Sequence, residues 1–213
     1  MTKRTLQEAG AVFTVCIAVG LAGSILSGRA LHADNDDGDG DEAKIERGFA
    51  IAPVPLNLKH KNRALVGLGS YIVNAQAECN GCHSKGPQTQ YLPGGNPYFG
   101  QPEATNPATY LGGGRDFGPY PGPASPIHII SRNLTPDVTG RPIGGDTFEE
   151  FRHTIRTGLD PDALHPSLPP PFLGSLLQIM PWPAYQHMRD RDLRAIYEYL
   201  SAIPCIAGPG HIC

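Results

Sequence analysis

Five consecutive residues, Cys79-Asn80-Gly81-Cys82-His83, bring two thiols and an imidazole together at a spacing suited to redox chemistry. On a helical turn, positions i and i+3 face the same side. Both sulfurs can then add to the two vinyl groups of one porphyrin. The histidine that follows is carried beneath the ring, where its imidazole can ligate iron. C-x-x-C-H therefore reads as the attachment site of one covalently bound haem c, with Cys79 and Cys82 as thioethers and His83 as axial ligand.

A cysteine pair has two other uses, a thioredoxin-like redox couple and half of a zinc site. Zinc would want a second Cys/His pair at ligand spacing. Cys205 and Cys213, with His211 between them, do not provide it. A redox couple would want a βαβ setting, whereas the residues before Cys79 read as a helix. Cys205 and Cys213 are instead expected to form a disulfide, as spare thiols commonly do outside the cytoplasm. Closing so short a loop is worth about 2–3 kcal/mol.

An iron held by His83 needs a sixth ligand or a vacancy. Beyond Met1 the chain has two methionines, Met180 and Met188. Met180 lies in QIMPWPAY, stiffened by Pro181 and Pro183, and is the expected ligand on the face opposite His83. Met188, His128 and His165 are the alternatives. His/Met ligation raises a reduction potential relative to two nitrogen ligands. An open sixth position would instead suit a sensor or a haem enzyme.

These groups need elements to position them. Residues 62–78 have helical periodicity and run straight into the haem motif. Residues 84–145 are rich in Gly and Pro and long for a loop in a compact domain. Residues 147–157 form a helix with a capping box, Thr147 and Glu150, that stops at Gly158. A Pro-rich link, 164–172, precedes a last helix over 190–203, for which Asp190 is the expected cap. The expected architecture is mainly α, with long Gly/Pro-rich loops, a haem domain over 59–204 and a tail over 205–213.

The N-terminus reads as a leader. Lys3 and Arg4 precede an apolar run from Ala11 to Leu26, and residues 1–33 are taken as a signal peptide, with an uncleaved membrane anchor as the alternative. The run is short of the ~20 residues that span a bilayer. The expected location is periplasmic. Residues 34–58 are read as an acidic disordered linker. Asn35, Asp37, Asp39, Gly40 and Glu46 also match positions of a calcium-binding loop, although no helix is expected in front of them. From Arg47 onward 13 Lys and Arg face 12 Asp and Glu. That balance, without interleaved aromatics, argues against nucleic-acid binding. Lys59, His60, Lys61, Asn62 and Arg63 could form a docking patch for an acidic partner or simply a solvated helix start.

The order CNGCH, NLTPD (133–137), FRHTIRTG (151–158), MPWPAY (180–185) and DLRAIYEYL (192–200) resembles the c-type cytochrome superfamily. It is particularly similar to haem domains in the cytochrome subunits of bacterial membrane-bound alcohol and gluconate dehydrogenases. The resemblance spans roughly 62–204 and implies His83 and Met180 as axial ligands. It implies that the first and last helices cross where a small residue meets an aromatic, for which Gly69 and Tyr197 are the candidates. Those subunits carry three haems; this sequence has one motif. The expected role is a mono-haem, one-electron carrier, not itself an enzyme, working between a dehydrogenase donor and an oxidase or cytochrome acceptor. A fixed electron-transfer subunit of a dehydrogenase complex is the nearest alternative. Trp182 and Tyr185 are expected to bond a propionate or a backbone carbonyl, or to pack on the ring, and Arg132 and Asn133 to stand near a propionate.

Overall fold

A computed structural model describes residues 36–160, 168–172, 174 and 176–213. The leader, Asn35 and His165 lie outside the described residues. Among the described residues six α-helices run in chain order: α1 (Asp36–Ile51), α2 (Arg63–Tyr71), α3 (Cys79–His83), α4 (Phe148–Thr157), α5 (Trp182–Tyr185) and α6 (Asp190–Leu200). Two short antiparallel strands, β1 (Asp116–Pro119) and β2 (His128–Ile130), lie between α3 and α4. Helix makes up 36% of the structure, beside a small antiparallel sheet, so the mainly-α expectation holds in part. The Gly/Pro-rich segment folds as turns and this two-stranded ribbon, because prolines lack the donors a helix needs.

Helix α2 is the centre of the fold. Asn62 caps it, its side chain accepting from Leu65 N–H. Gly67 and Gly69 are two positions apart, a rotation of about 200° around the helix. They therefore serve opposite faces. A Cβ on Gly69 would stand 1.9 Å from the Ala195 carbonyl oxygen of α6. One on Gly67 would stand 2.7 Å from side-chain atoms of Ile45 and Phe49 in α1. Each glycine lets a second helix approach backbone to backbone. Gly69 also meets Tyr199, not Tyr197 as expected. Tyr197 turns the other way, toward Phe148 and Phe151, and donates to the Asp146 carbonyl at 2.8 Å.

Residues 36–51, expected within an unstructured linker, form α1. Five of its six acidic residues fall in the first half of its sequence. Its apolar residues, Ile45 and Phe49, sit at i and i+4 and pack against the core. Asp41 is buried and paired with Arg191 of α6. Ser70 donates to the Gly48 carbonyl at 2.7 Å. The helical backbone over Asp37, Asp39 and Gly40 is not the loop a calcium site requires, and among the described residues no acidic or histidine cluster could hold a metal.

Helix α2 continues into one π-helical turn, Ile72–Gln76, where Ala77 N–H reaches the Ile72 carbonyl. The widened turn brings Asn74 into a buried ring of polar groups. Tyr110 donates to Asn74, Asn74 donates to Tyr199 at 3.2 Å, and the two hydroxyls lie 2.8 Å apart. Helix α4 has the expected capping box, Thr147 with Glu150, and ends at Gly158 with φ +73°. Helix α6 ends at Leu200, three residues early, and Asp190 does not cap it. Arg189 takes that position, while the Asp190 carboxylate pairs with Arg156 of α4 at 2.6 Å. Among the described residues no helix is long and apolar enough to cross a membrane.

Candidate functional site

Residue Glu78 turns the chain sharply out of the π turn, with φ +46°, and α3 follows at once. Cys79 and Cys82 are both free, at i and i+3 of this one-turn helix. The residues between them anchor it. Asn80 is buried, and its side-chain oxygen accepts Leu111 N–H at 2.9 Å. Arg115 donates to the Gly81 carbonyl.

The ring of His83 is fixed by the main chain. Its Nδ1 lies 2.8 Å from the Arg132 carbonyl oxygen. A carbonyl only accepts, so Nδ1 carries the proton and the Nε2 lone pair is left free for a metal. Burial pushes the His83 pKa down, partly opposed by this hydrogen bond, which keeps the imidazole in its neutral, ligating form. Burial likewise pushes the Cys79 thiol up to about 12. A dithiol redox couple needs the opposite shift.

Two further segments hold the Arg132 carbonyl in place. Gly113 N–H donates to the His83 carbonyl at 2.6 Å, and a Cβ at Gly113 would come within 2.5 Å of the Arg132–Asn133 backbone. Gly113 is what lets the three stretches of chain meet. Ser131 N–H donates to the Arg115 carbonyl at 2.9 Å, continuing the β1–β2 ribbon to the edge of the site. The Arg132 side chain reaches the buried carboxylates of Asp146 and Asp160, each at 3.2 Å. The residue expected near a propionate thus bonds two acids through its side chain and His83 through its backbone.

A cavity of about 1370 Å³ opens beside α3, lined by Cys79, Cys82, His83 and Met180. Ile143, Ile155, Leu193, Ile196 and Leu200 supply apolar wall. The volume exceeds the roughly 300–1,000 Å³ that encloses a drug-sized ligand, and the lining is of the kind that such a ligand needs. Paired thiols, a neutral imidazole with one free nitrogen, a thioether and an apolar wall are together a donor set and chamber that fit a haem.

Met180 reaches the cavity from a braced segment. Leu177 N–H donates to the Gly158 carbonyl at 2.8 Å, and Trp182 Nε1–H donates to the Leu177 carbonyl at 3.0 Å. The Trp182 ring lies where a Gly158 side chain would be. Tyr185 Oη–H donates to the Ala77 carbonyl at 3.3 Å, tying the methionine segment to the residues just before Cys79. Both aromatics therefore bond backbone carbonyls. Met188 lines the same cavity, as does His128, whose Nδ1 is 2.7 Å from Asp116 at the surface. None of Lys59, His60, Lys61, Asn62 and Arg63 lines it. Arg63 instead covers the Phe49 ring and Asn62 caps α2. Cys205 and Cys213 are joined in a disulfide.

Sequence reasoning missed Asn80, Gly113 and the Arg132 carbonyl. The run of three glycines was the available signal for a close backbone approach. A backbone carbonyl leaves no mark in a sequence.

Fold and site are compatible with a cytochrome c-like protein. No family model matches the chain. It is 30% identical over 141 residues to the gluconate 2-dehydrogenase cytochrome c subunit of Pantoea cypripedii, covering 65% of this chain and 23% of that subunit. It is 27% identical over 155 residues to the fructose dehydrogenase cytochrome subunit of Gluconobacter japonicus, covering 72% and 24%. Over 153 residues it is 29% identical to the cytochrome c subunit of the quinone alcohol dehydrogenase of Gluconacetobacter polyoxogenes, covering 71% and 24%. The chain is thus similar to cytochrome subunits of gluconate, fructose and alcohol dehydrogenases, and spans about a quarter of their length.

Proposed function

We propose that this chain is an exported, mono-haem c-type cytochrome that carries single electrons from a dehydrogenase to an oxidase or another cytochrome. The observation that carries the reading is that the paired thiols, the fixed imidazole and Met180 line one apolar chamber. Cys79 and Cys82 would hold the haem as thioethers, and His83 Nε2 and the Met180 sulfur would bind its iron. When bound, the haem supplies an iron that exchanges one electron without making or breaking a substrate bond. The chain sets the conditions for that exchange. Arg132 fixes the imidazole tautomer, the isoleucine and leucine wall excludes water, and Tyr185 and Trp182 keep the methionine segment from moving. A rigid ligand set lowers the reorganisation that each electron transfer requires.

Export rests on Lys3, Arg4 and the apolar run 11–26, read as a leader, with residues 59–204 as the haem domain. A fixed place in a dehydrogenase complex is a second reading, favoured by the relatives being named as subunits. The test is a redox titration of the purified protein. A reversible one-electron wave, with no carbon monoxide adduct in the reduced form, is the expected result. A carbon monoxide adduct would indicate an open sixth position and a sensor or enzyme. Co-purification with a dehydrogenase at stoichiometric yield would favour the fixed subunit over the shuttle.

A further inference from the structure

The tail after α6 is a small closed unit. The Cys205–Cys213 disulfide closes it, and inside the loop Gly208 and His211 exchange two backbone hydrogen bonds, at 3.1 and 2.9 Å. Nothing in a minimal haem chamber calls for such an appendage. Its contacts explain it.

The tail is bonded to the 133–138 turn and the chain beyond it. Asn133 Nδ2–H donates to the Ile206 carbonyl at 2.7 Å, and Ile206 N–H donates to Thr135 Oγ1 at 3.0 Å. His211 is buried, with Nε2 at 3.0 Å from the Pro136 carbonyl and 3.3 Å from Thr135 Oγ1. Val138 N–H donates to the Ile212 carbonyl at 3.1 Å. Within the turn Asn133 Oδ1 accepts from both Thr135 N–H and Thr135 Oγ1–H, at 2.9 and 2.7 Å. On its other side Leu134 N–H donates to the Leu111 carbonyl at 2.9 Å.

This turn begins at the residue after Arg132, whose carbonyl accepts the hydrogen bond from His83 Nδ1–H. The Arg132 side chain is held by Asp146 and Asp160, and the backbone that follows is held by the tail. We propose that the disulfide-closed tail, through Thr135 and Asn133, is a positioning element for the His83 imidazole. The inference rests on the reading of His83 as iron ligand. Free of its tail, the turn loses the anchors on one side. The carbonyl then wanders, and the Nδ1–H bond that tunes the ligand opens more often.

The experiment compares the haem-loaded full chain with two variants, Cys205→Ser/Cys213→Ser and Thr135→Val, and with Thr135→Ser as the conservative control. The readouts are exchange of the His83 Nδ1 proton and the Gly113 amide, against the Leu68 and Ile196 amides, and the equilibrium with a one-electron mediator. Both variants should speed His83 and Gly113 exchange about tenfold and shift the mediator equilibrium about threefold, while Leu68 and Ile196 stay within about twofold. Thr135→Ser should restore both. Equal acceleration at all four sites would show general loosening and overturn the inference, as would no change at His83. Wild-type protein with attached haem but unchanged variants would sink this inference alone. Wild-type protein without attached haem would sink it together with the functional reading.

Discussion

The Arg132 carbonyl oxygen lies 2.8 Å from Nδ1 of His83, and Gly113, Asp146 and Asp160 brace the residue that carries it. Gly113 is the tightest of them, since its Cβ would strike the Arg132–Asn133 backbone at 2.5 Å and its φ is +65°. Gly113→Ala should cost about 3 kcal/mol, the sum of left-handed strain and overpacking. Gly114→Ala, also at positive φ but with only the far Lys85 side chain near, should cost about 1 kcal/mol. Thermal denaturation of the two holoproteins checks the contrast. Equal losses would contradict it.

Helix crossing gives a second pair. Gly69→Ala places a methyl 1.9 Å from the Ala195 oxygen and should cost about 2–3 kcal/mol. Gly40→Ala in α1 meets nothing within 4 Å and should stabilise by about 0.5–1 kcal/mol. Denaturant midpoints measure both.

Alkaline pH should expose the buried phenols. Burial, reinforced by neighbouring Tyr199, holds the Tyr110 pKa well above its usual 10.0. A raised folded pKa gives stability that is complete below the unfolded value and lost as pH climbs past it. The unfolded chain then releases a proton the native fold retains. Tyr110→Phe removes that proton, so stability should fall less steeply above pH 10, by up to about 1.4 kcal/mol per pH unit. The slope decides the matter, because a constant loss from the unpaired Asn74 oxygen does not affect it. Parallel slopes would contradict the assignment.

Local signals in the sequence were the reliable ones. The Thr147–Glu150 box and the Gly158 stop are readable because caps are short-range. Helix α1 was hidden because its acidic composition reads as solvated, while its packing depends on Gly67 of a helix some twenty residues on. The Gly69 partner was misjudged by half a turn. Tyr197 and Tyr199 both sit on α6, and only the crossing geometry selects Tyr199. Cys79, Cys82, His83 and Met180 line one cavity, whereas the Arg132 carbonyl was invisible in the sequence, since any residue type offers one.

Met180→Ala should remove the thioether band from the oxidised spectrum and admit carbon monoxide to the reduced protein. The potential should fall as the methionine is replaced by water or nitrogen. An unchanged spectrum would move the ligand to Met188 or His128, both of which line the cavity.

Intact mass of the exported protein after denaturation in acid-acetone tests the covalent site itself. The expected result is the mass of the polypeptide plus one haem, still coloured, and loss of the stable two-link adduct in Cys79→Ala/Cys82→Ala. A colourless chain of unmodified mass, with pigment in the organic phase or absent, would contradict it.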